Sequence, residues 1–463
     1  MRSGVAEIDA AKPASRYDLY PPYRAPWFAC PVWGVLLCAA YPLLILTPLT
    51  LFAILSPGPH HAPLVEIGMD CAAVAFPILA LQFVISARLR WLEAPFGLDV
   101  VLQFHRMMAF VALVLLCAHP LLVSAGESWG LLTRWHVRWP IWAGRLAFLV
   151  LVAHITTAAF RRIMRLRYET WRRLHSGVAV LLLGLALMHS LMLGHDFEGR
   201  AATLIWMTFP LVAGIAWCYG RLARPWLMGR RPYRILSIMA EAPRVWTLTL
   251  SPSGNRTLDY APGQFQFLRL HGSGIIAEEH PFSIASSPVL DGQVRVTVKE
   301  SGDFTSTIGR VKPGDLATVH GPYGRFSHVF HSSNDLVFIA GGIGITPFMS
   351  MLRYMRDRSD PRRVLLVYAN RTPADIVFRS ELESMESGAF PTLKTIHILS
   401  EPTPDWAGHI GRLNLSSLEA FCGGFSGKMF FLCCPPTMTA GLIRGLKKAG
   451  VGLELIHTDY FGL

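Results

Sequence analysis

The chain has 463 residues, of which 52% are hydrophobic and only 16% charged, and its formal net charge is +12. Soluble domains are about a quarter charged, so this composition excludes an ordinary soluble fold for the whole chain and calls for a bilayer around part of it. The basic residues cluster between apolar runs rather than on one polar face, which argues for membrane topology and against nucleic-acid binding.

The first 25 residues are polar and rich in Pro and Tyr, and no cleavable signal segment is expected there. Six runs are long enough to cross a hydrocarbon core, which takes about 20 apolar residues. They are Val32–Leu55, Ile67–Ser86, Val101–Val123, Ile141–Phe160, Leu174–Leu193 and Thr203–Tyr219. Pro42, Pro48 and Pro77 fall inside the first two and would kink them; neighbouring helices in lipid can re-satisfy the freed backbone. Arginines crowd alternate connections: Arg88 and Arg90, then Arg161, Arg162, Arg165, Arg167, Arg172 and Arg173, then Arg221, Arg224, Arg230 and Arg231. The other loops, 57–66, 124–140 and 194–202, are poorer in charge. The positive-inside rule then puts the N-terminus, the arginine-rich loops and everything after the sixth span in the cytoplasm.

From Tyr233 the texture changes. Trp246–Leu250, Phe265–Leu270 and Val294–Lys299 are short alternating runs bounded by Gly, Pro and Asp, the pattern of an antiparallel barrel. From Asp335 the order becomes strand (Leu336–Ala340), Gly-rich turn (Gly341–Gly344), helix (Pro347–Met355) and strand (Val364–Tyr368), a βαβ unit with a parallel sheet. The eight cysteines, Cys30, Cys38, Cys71, Cys117, Cys218, Cys422, Cys433 and Cys434, show neither metal-site spacing nor a disulfide framework.

The third span carries His105 and His119, and the fifth carries His175 and His189. Each pair is 14 residues apart, nearly four helical turns and about 21 Å, so both members face one side. His105 and His175 lie near the cytoplasmic ends, His119 and His189 toward the far side. Facing helices with this pattern offer two stacked bis-imidazole sites of the kind that six-coordinate haem iron takes. A single intramembrane histidine is more simply a packing residue, but two copies of one spacing on two spans are hard to obtain by chance. His154 in span four has no such partner and reads as packing or as a contact to a haem propionate. His60, His61, His136 and His195 fall in the far-side loops and read as solvated.

The run Phe104-His105-Arg106-Met107-Met108-Ala109-Phe110, followed by His119, resembles the third span of the NADPH oxidase and ferric reductase superfamily, and Tyr168-Glu169-Thr170-Trp171-Arg172-Arg173-Leu174-His175 resembles the start of its fifth. The 14-residue spacing in the fifth span is similar to the bacterial members. The resemblance implies two b-type haems, an inner one on His105 and His175 and an outer one on His119 and His189.

The second half resembles ferredoxin-reductase-type dehydrogenases, through His280-Pro281-Phe282-Ser283-Ile284-Ala285-Ser286-Ser287-Pro288 (the flavin strand), Lys299-Glu300-Ser301-Gly302-Asp303-Phe304-Thr305 (the diphosphate segment), Gly321-Pro322-Tyr323-Gly324 and Pro262-Gly263-Gln264-Phe265. It implies FAD held by His280, Pro281, Phe282, Ser283, Gly302, Asp303, Phe304 and Thr305, with Phe282 beside the isoalloxazine, the Ser283 hydroxyl near flavin N5, and the glycine letting backbone N–H groups approach the phosphates. The turn Ala340-Gly341-Gly342-Ile343-Gly344-Ile345-Thr346-Pro347 follows a strand and opens a helix, so its backbone and helix N-terminus suit a pyrophosphate. Gly341, Gly342, Gly344, Thr346 and Pro347 are expected to bind NAD(P)H, together with Asn370 and Arg371 at the end of the next strand. Arg371 can pair a 2′-phosphate, which favours NADPH with NADH as the alternative; an ordinary surface arginine is the plainer reading. Phe431-Leu432-Cys433-Cys434-Pro435-Pro436 resembles the family's Cys-Gly-Pro-Pro segment by the nicotinamide, with Cys434 where glycine is usual. Cys433 and Pro435 would shape the hydride site, with Cys433 not acting as a nucleophile. The terminal His457-Thr458-Asp459-Tyr460-Phe461 is similar to a His-Thr-Glu-x-Phe ending, which makes Phe461, with Tyr460 second, the aromatic that stacks on the flavin and gives way to nicotinamide.

The expected architecture is therefore multi-domain: a cytoplasmic segment (1–31), a six-helix transmembrane bundle holding haem (32–222), an antiparallel β-barrel FAD domain (230–330) and an α/β NAD(P)H domain (331–463). The resemblance implies an electron path from cytoplasmic NADPH through FAD and the two haems to an acceptor beyond a bacterial inner membrane. That acceptor is O2, giving superoxide, or a ferric or other metal chelate. Service as an electron-donating subunit for a partner protein, or as a haem-binding sensor, are the rival readings; the intact flavin and Gly-rich segments speak against the sensor. No obligatory protein partner and no calcium loop is evident, which points to constitutive activity.

Overall fold

The computed structural model describes residues 26–463 except 56–60, 162, 167, 194–199, 231, 255–256, 273, 290–291 and 460–463. The described residues fall into two compact units, Pro26–Trp226 and the chain from Leu227 onward.

The first unit is built on six long helices: α1 (Pro31–Leu55), α2 (Pro63–Ser86), α3 (Leu98–Gly126), α4 (Trp139–Ala159), α5 (Tyr168–Leu193) and α6 (Arg200–Cys218). All six are long and apolar enough to span a bilayer, and α6 runs on through a π-helical turn at Tyr219–Ala223 to Gly229. The predicted spans lie on these helices, but α5 begins six residues before Leu174. Its extra turns are polar, and Arg172 Nη2 pairs with Glu169 Oε2 at 2.8 Å one turn away. Apolar periodicity cannot register a helical end that leaves the hydrocarbon. Side chains such as Leu43, Val114, Leu149 and Leu204 point outward and are exposed, an arrangement that costs nothing against lipid tails. Inside, Ile78 and Leu79 of α2 meet Met108 and Ala112 of α3, Ala147 and Leu151 of α4 and Leu182 of α5. Trp206 of α6 stacks on Phe76 of α2, with ring centroids 4.5 Å apart, and donates to Ser190 Oγ of α5 at 2.9 Å. α2 packs closely on α3 and α4 on α5, whereas the backbones of α3 and α5 make few close approaches.

The second unit opens with an antiparallel sheet. Its strands are β1 (Tyr233–Ala242), β2 (Val245–Pro252), β3 (Phe265–His271), β4 (Glu279–Ser283), β5 (Val294–Lys299) and β6 (Leu316–Tyr323), in the order β4-β3-β6-β1-β2-β5. A bridge from Ile284 to Val296 joins the two edges and closes the sheet into a barrel, which removes its open edges. The inward-facing residues Leu248, Leu250, Leu268, Leu270, Val296 and Val298 fill it.

A parallel sheet follows. Its strands are β7 (Asp335–Gly341), β8 (Arg363–Asn370), β9 (Thr392–Leu399), β10 (His409–Ile410), β11 (Met429–Cys433) and β12 (Ile456–Thr458), in the order β10-β9-β8-β7-β11-β12. Helices α7 (Thr346–Asp357), α8 (Arg379–Glu386), α9 (Leu415–Cys422) and α10 (Pro436–Lys448) connect them. From β7 the chain winds outward through β8 and β9, then returns to β11 on the other side. The switch point of this doubly wound sheet therefore lies between β7 and β11, where ligands bind at the carboxyl ends of the strands.

The barrel and the parallel sheet are joined by a buried polar latch. Arg353 of α7, 6% exposed at its side chain, donates from Nη1 to the Ala285 carbonyl at 2.6 Å and forks onto Glu381 of α8 through Nε (2.9 Å) and Nη2 (2.5 Å). One turn away Ser350 Oγ donates to the Ser286 carbonyl at 2.6 Å. Removing Arg353 leaves Glu381 only its longer pairing with Arg356 (3.7 Å) and the Ala285 carbonyl without its donor, a loss of about 1–3 kcal/mol. Arg353→Met is thus expected to lower the temperature at which the detergent-solubilised chain releases its flavin, read by flavin fluorescence. An unchanged release temperature would remove the latch from the account.

A second buried group predicts a pH response. His328 is fully buried, with neither ring nitrogen hydrogen-bonded. Burial, helped by the nearby Arg362 guanidinium, pulls its pKa from 6.5 down to about 3. Below pH 6.5 the unfolded chain takes up a proton here that the folded chain refuses. The stability is complete above pH 6.5 and falls as pH drops toward 3, by up to about 1.4 kcal/mol per unit for this one group. Between pH 7.5 and 5, flavin-release temperatures should fall, and His328→Leu should flatten that slope.

Candidate functional site

The membrane unit brings its four predicted histidines together in two pairs. The ring centroids of His105 and His175 are 6.4 Å apart and those of His119 and His189 are 6.3 Å apart. Two imidazoles that ligate one metal from opposite sides, each nitrogen about 2 Å from the ion, place their centroids about 6 Å apart. The distances therefore fit a bis-imidazole metal site at both depths, and the few backbone approaches between α3 and α5 suit a flat group between them. The outer pair is oriented through its other ring nitrogens: His119 Nδ1 lies 2.9 Å from the Gly68 carbonyl and His189 Nδ1 lies 2.8 Å from the Pro140 carbonyl. An Nδ1–H bonded to a carbonyl leaves Nε2 as the free ligand atom, the usual support for a metal-bound histidine. In the inner pair, Nδ1 of both His105 and His175 is buried without a hydrogen-bond partner.

Gly144 and Arg145 of α4 are residues that sequence reasoning did not reach. Gly144 of α4 abuts His189 so closely that a Cβ there would lie 2.5 Å from the ring. Its neighbour Arg145 donates from Nη2 to the Leu131 carbonyl at 2.6 Å and lies 4.7 Å over the Trp142 ring. An arginine inside an apolar span was the signal that could have found it. His154 stacks on His175 with ring centroids 4.1 Å apart, so it packs against the inner pair and not beside the outer one.

In the barrel, β4 carries His280 to Ser283. His280 stacks on Phe304 at 4.2 Å, and Phe282 lies 6.1 Å from the same ring. Ser283 Oγ is buried with no partner, a hydroxyl held ready for a polar ligand. Opposite Phe282 on β3, Gln266 is fully buried with neither amide atom bonded, a second orphan that the sequence did not single out. Pro281 sits between His280 and Phe282 on β4. The Gly302 turn behaves differently from the expectation. Thr305 Oγ1 accepts from Ser301 N (2.8 Å) and Gly302 N (2.9 Å), so these two N–H groups are already engaged by the chain. Asp303 and Phe304 follow in the same turn, and the space beside Gly302 is open.

At the switch point the glycines meet the end of β11. A Cβ on Gly341 would lie 2.7 Å from Pro435, and one on Gly344 would overlap the Cys433 carbonyl. Gly342 has φ +56° and faces open space. The loop is thus pressed onto the Cys433–Pro435 segment on one side and presents bare backbone on the other. Thr346 and Pro347 start α7; proline at the first turn loses no helical hydrogen bond. Cys433 is fully buried, and burial, with Asp459 beside it, pushes its thiol well above the ordinary range. Burial thus favours its neutral thiol. Cys434 donates from Sγ to the Ile339 carbonyl at 3.2 Å, and burial pushes its thiol up to about 12. At the end of β8, Asn370 is buried with neither amide atom bonded, and the exposed Arg371 pairs with Glu401 at 2.8 Å. His457 on β12 packs on His331 (3.9 Å) and Phe431 (4.9 Å). Phe461 and Tyr460 lie outside the described residues, as do His60 and His195.

Three family descriptions match the chain in succession: a ferric reductase like transmembrane component over residues 71–186, an FAD-binding domain over 239–326 and an oxidoreductase NAD-binding domain over 338–443. Among curated proteins, the glycine betaine monooxygenase reductase subunit of Pseudomonas aeruginosa is 30% identical over 244 residues, covering 51% of this chain and 66% of that protein. The flavohemoprotein of Bordetella pertussis is 25% identical over 248 residues, covering 50% and 61%. The chain thus spans just under two thirds of the length of these relatives. Among solved structures, the flavohem-like FAD/NAD binding domain of nitric oxide dioxygenase from Vibrio cholerae O1 biovar El Tor is 22% identical, with a TM-score of 0.45 over 50% of this chain and 99% of that one. A ferric-reductase-like membrane component followed by FAD-binding and NAD-binding domains is the architecture of the NADPH oxidase and ferric reductase superfamily, and this integral membrane chain has that architecture.

Proposed function

We propose that the chain carries electrons across a bacterial inner membrane, from NADPH through FAD and two b-type haems to O2 on the far side, giving superoxide. The observation that carries this reading is the pair of facing imidazoles repeated at two depths, 6.4 and 6.3 Å apart. His105 and His175 would hold the inner haem, and His119 and His189 the outer one. Nδ1–H donation to the Gly68 and Pro140 carbonyls would leave Nε2 of each outer ring as the ligand atom. In the dehydrogenase, Ser283 and Gln266 offer the unpartnered polar atoms a flavin ring would meet, and Phe282 offers an apolar face. Gly341, Gly342 and Gly344 expose backbone at the switch point for the nicotinamide cofactor's pyrophosphate, and buried Cys433 and Pro435 wall the hydride site. When bound, the flavin accepts a hydride and the haems pass electrons singly. The histidines act as ligands and move no proton. The arginine-rich connections support a cytoplasmic side for this dehydrogenase.

The test is NADPH turnover by the purified chain under air and under argon, with superoxide-dismutase-sensitive cytochrome c reduction as readout. A six-coordinate b-type haem spectrum and oxygen-dependent turnover are expected. Turnover that needs an Fe(III) chelate and not oxygen would make the chain a metal reductase on the same relay. A chain that binds no haem would overturn the relay itself.

A further inference from the structure

The ribose end of the nicotinamide site holds a carboxylate where the proposed reading needs a free cation. β7, β8 and β9 all point their carboxyl ends at one edge of the sheet. The Gly341–Gly344 loop, Arg371 and Glu401 each follow one of those ends. Arg371 and Glu401 are tied twice: Glu401 N donates to the Arg371 carbonyl at 2.8 Å, and Arg371 Nε meets Glu401 Oε2 at 2.8 Å. Ser400 N donates to the Asn370 carbonyl at 3.1 Å, which holds the two strand ends in register. The next charges, Asp375 and Lys299, pair with each other at 3.6 Å.

The carboxylate changes what Arg371 can do. A 2′-phosphate on the adenosine ribose brings about two negative charges to a guanidinium that Glu401 already neutralises. It must displace Glu401 or sit beside it against like-charge repulsion. A ribose 2′-hydroxyl meets no such penalty, and Glu401 can accept its hydrogen bond, the role an acidic residue plays at this place in NAD sites. The pair's side chains are 71% and 56% exposed, so the bond between them is weak and exchangeable. Both outcomes are therefore open to one site.

We propose that Glu401 is a specificity-determining residue that competes with the 2′-phosphate for Arg371 and keeps NADH usable beside NADPH. This rests on the reading that Arg371 meets the adenosine ribose. The experiment compares the full-length solubilised chain with Glu401→Gln and Arg371→Ala. It measures kcat/KM for NADPH and NADH, and titrates 2′,5′-ADP and 5′-AMP by calorimetry as binding probes independent of turnover. Glu401→Gln should raise the NADPH-to-NADH ratio by about tenfold, through KM, and tighten 2′,5′-ADP by a similar factor with no gain for 5′-AMP. Arg371→Ala should lower both. If Arg371→Ala acts as expected but Glu401→Gln leaves the ratio and the 2′,5′-ADP affinity unchanged, the role of Glu401 is refuted and that of Arg371 stands. If Arg371→Ala leaves 2′,5′-ADP binding unchanged, the ribose-end reading itself is refuted, and the proposal with it.

Discussion

Replacing His119 or His189 with leucine should cut NADPH-driven reduction of the far-side acceptor by more than about 100-fold, with loss of one of two haem equivalents from the purified chain. Both rings lie inside the bundle, 6.3 Å apart, and each is aimed by a backbone carbonyl that holds Nδ1. Leucine fills the volume but supplies no ligand. The flavin half is a separate unit with its own barrel and sheet, so reduction of added ferricyanide by NADPH should persist and report an intact dehydrogenase. Gly144→Ala gives an independent check without removing a ligand, because the new methyl would lie 2.5 Å from the His189 ring and must tilt it. A weakened outer haem with an unchanged inner one is expected there. Two full haem equivalents in all three variants would end the bis-imidazole assignment.

Gly344→Ala is the change expected to do most harm in the dehydrogenase. The added Cβ would run into the Cys433 carbonyl, which is backbone of a fully buried strand and cannot swing aside. The loop must lift off β11. Overpacking of this kind costs about 1–3 kcal/mol, and a displacement near 1 Å at the hydride site costs about 100-fold in rate. Stopped-flow reduction of the flavin by NADPH should slow by that factor. Gly342→Ala is the control: its φ of +56° disfavours a side chain, but there is open space around it, so the loss should be smaller. Equal losses in the two variants would show that backbone strain, and not contact with β11, governs the loop.

Much of this arrangement was legible in the residues. Apolar run length located the six spans because lipid imposes it, and the 14-residue histidine spacing survives as geometry because helices are regular. The Gly-rich turn was legible as a local pattern fixed by backbone demands, and the strand at His280–Ser283 through its resemblance to a known family. What escaped depends on partners remote in sequence. Nothing near His119 says that Gly68 will supply its carbonyl, and nothing near Arg371 says that Glu401 will neutralise it. Arg353 looks like an ordinary polar helix residue until the fold puts Ala285 and Glu381 beside it. Gln266 lies on the same strand face as Leu268 and Leu270, and only the fold shows that its amide is buried there without a partner. At Gly302 the resemblance implied free N–H donors, and the hydroxyl of Thr305 three residues on takes those of Ser301 and Gly302.

The spacing of the histidine pairs also bears on membrane voltage. Positions 105 and 119, like 175 and 189, are about 21 Å apart along their helices, roughly two thirds of a hydrocarbon core about 30 Å thick. On the proposed relay, each electron passing between the pairs crosses most of the transmembrane field. That field is worth about 2.3 kcal/mol per charge for every 100 mV, so the step carries about 1.5 kcal/mol of electrical work per 100 mV. With the cytoplasm negative the work favours outward transfer, and every turnover erodes the voltage that assists it. Sustained current therefore requires a cation to follow the electrons out, which makes charge compensation part of the chemistry this bundle can support.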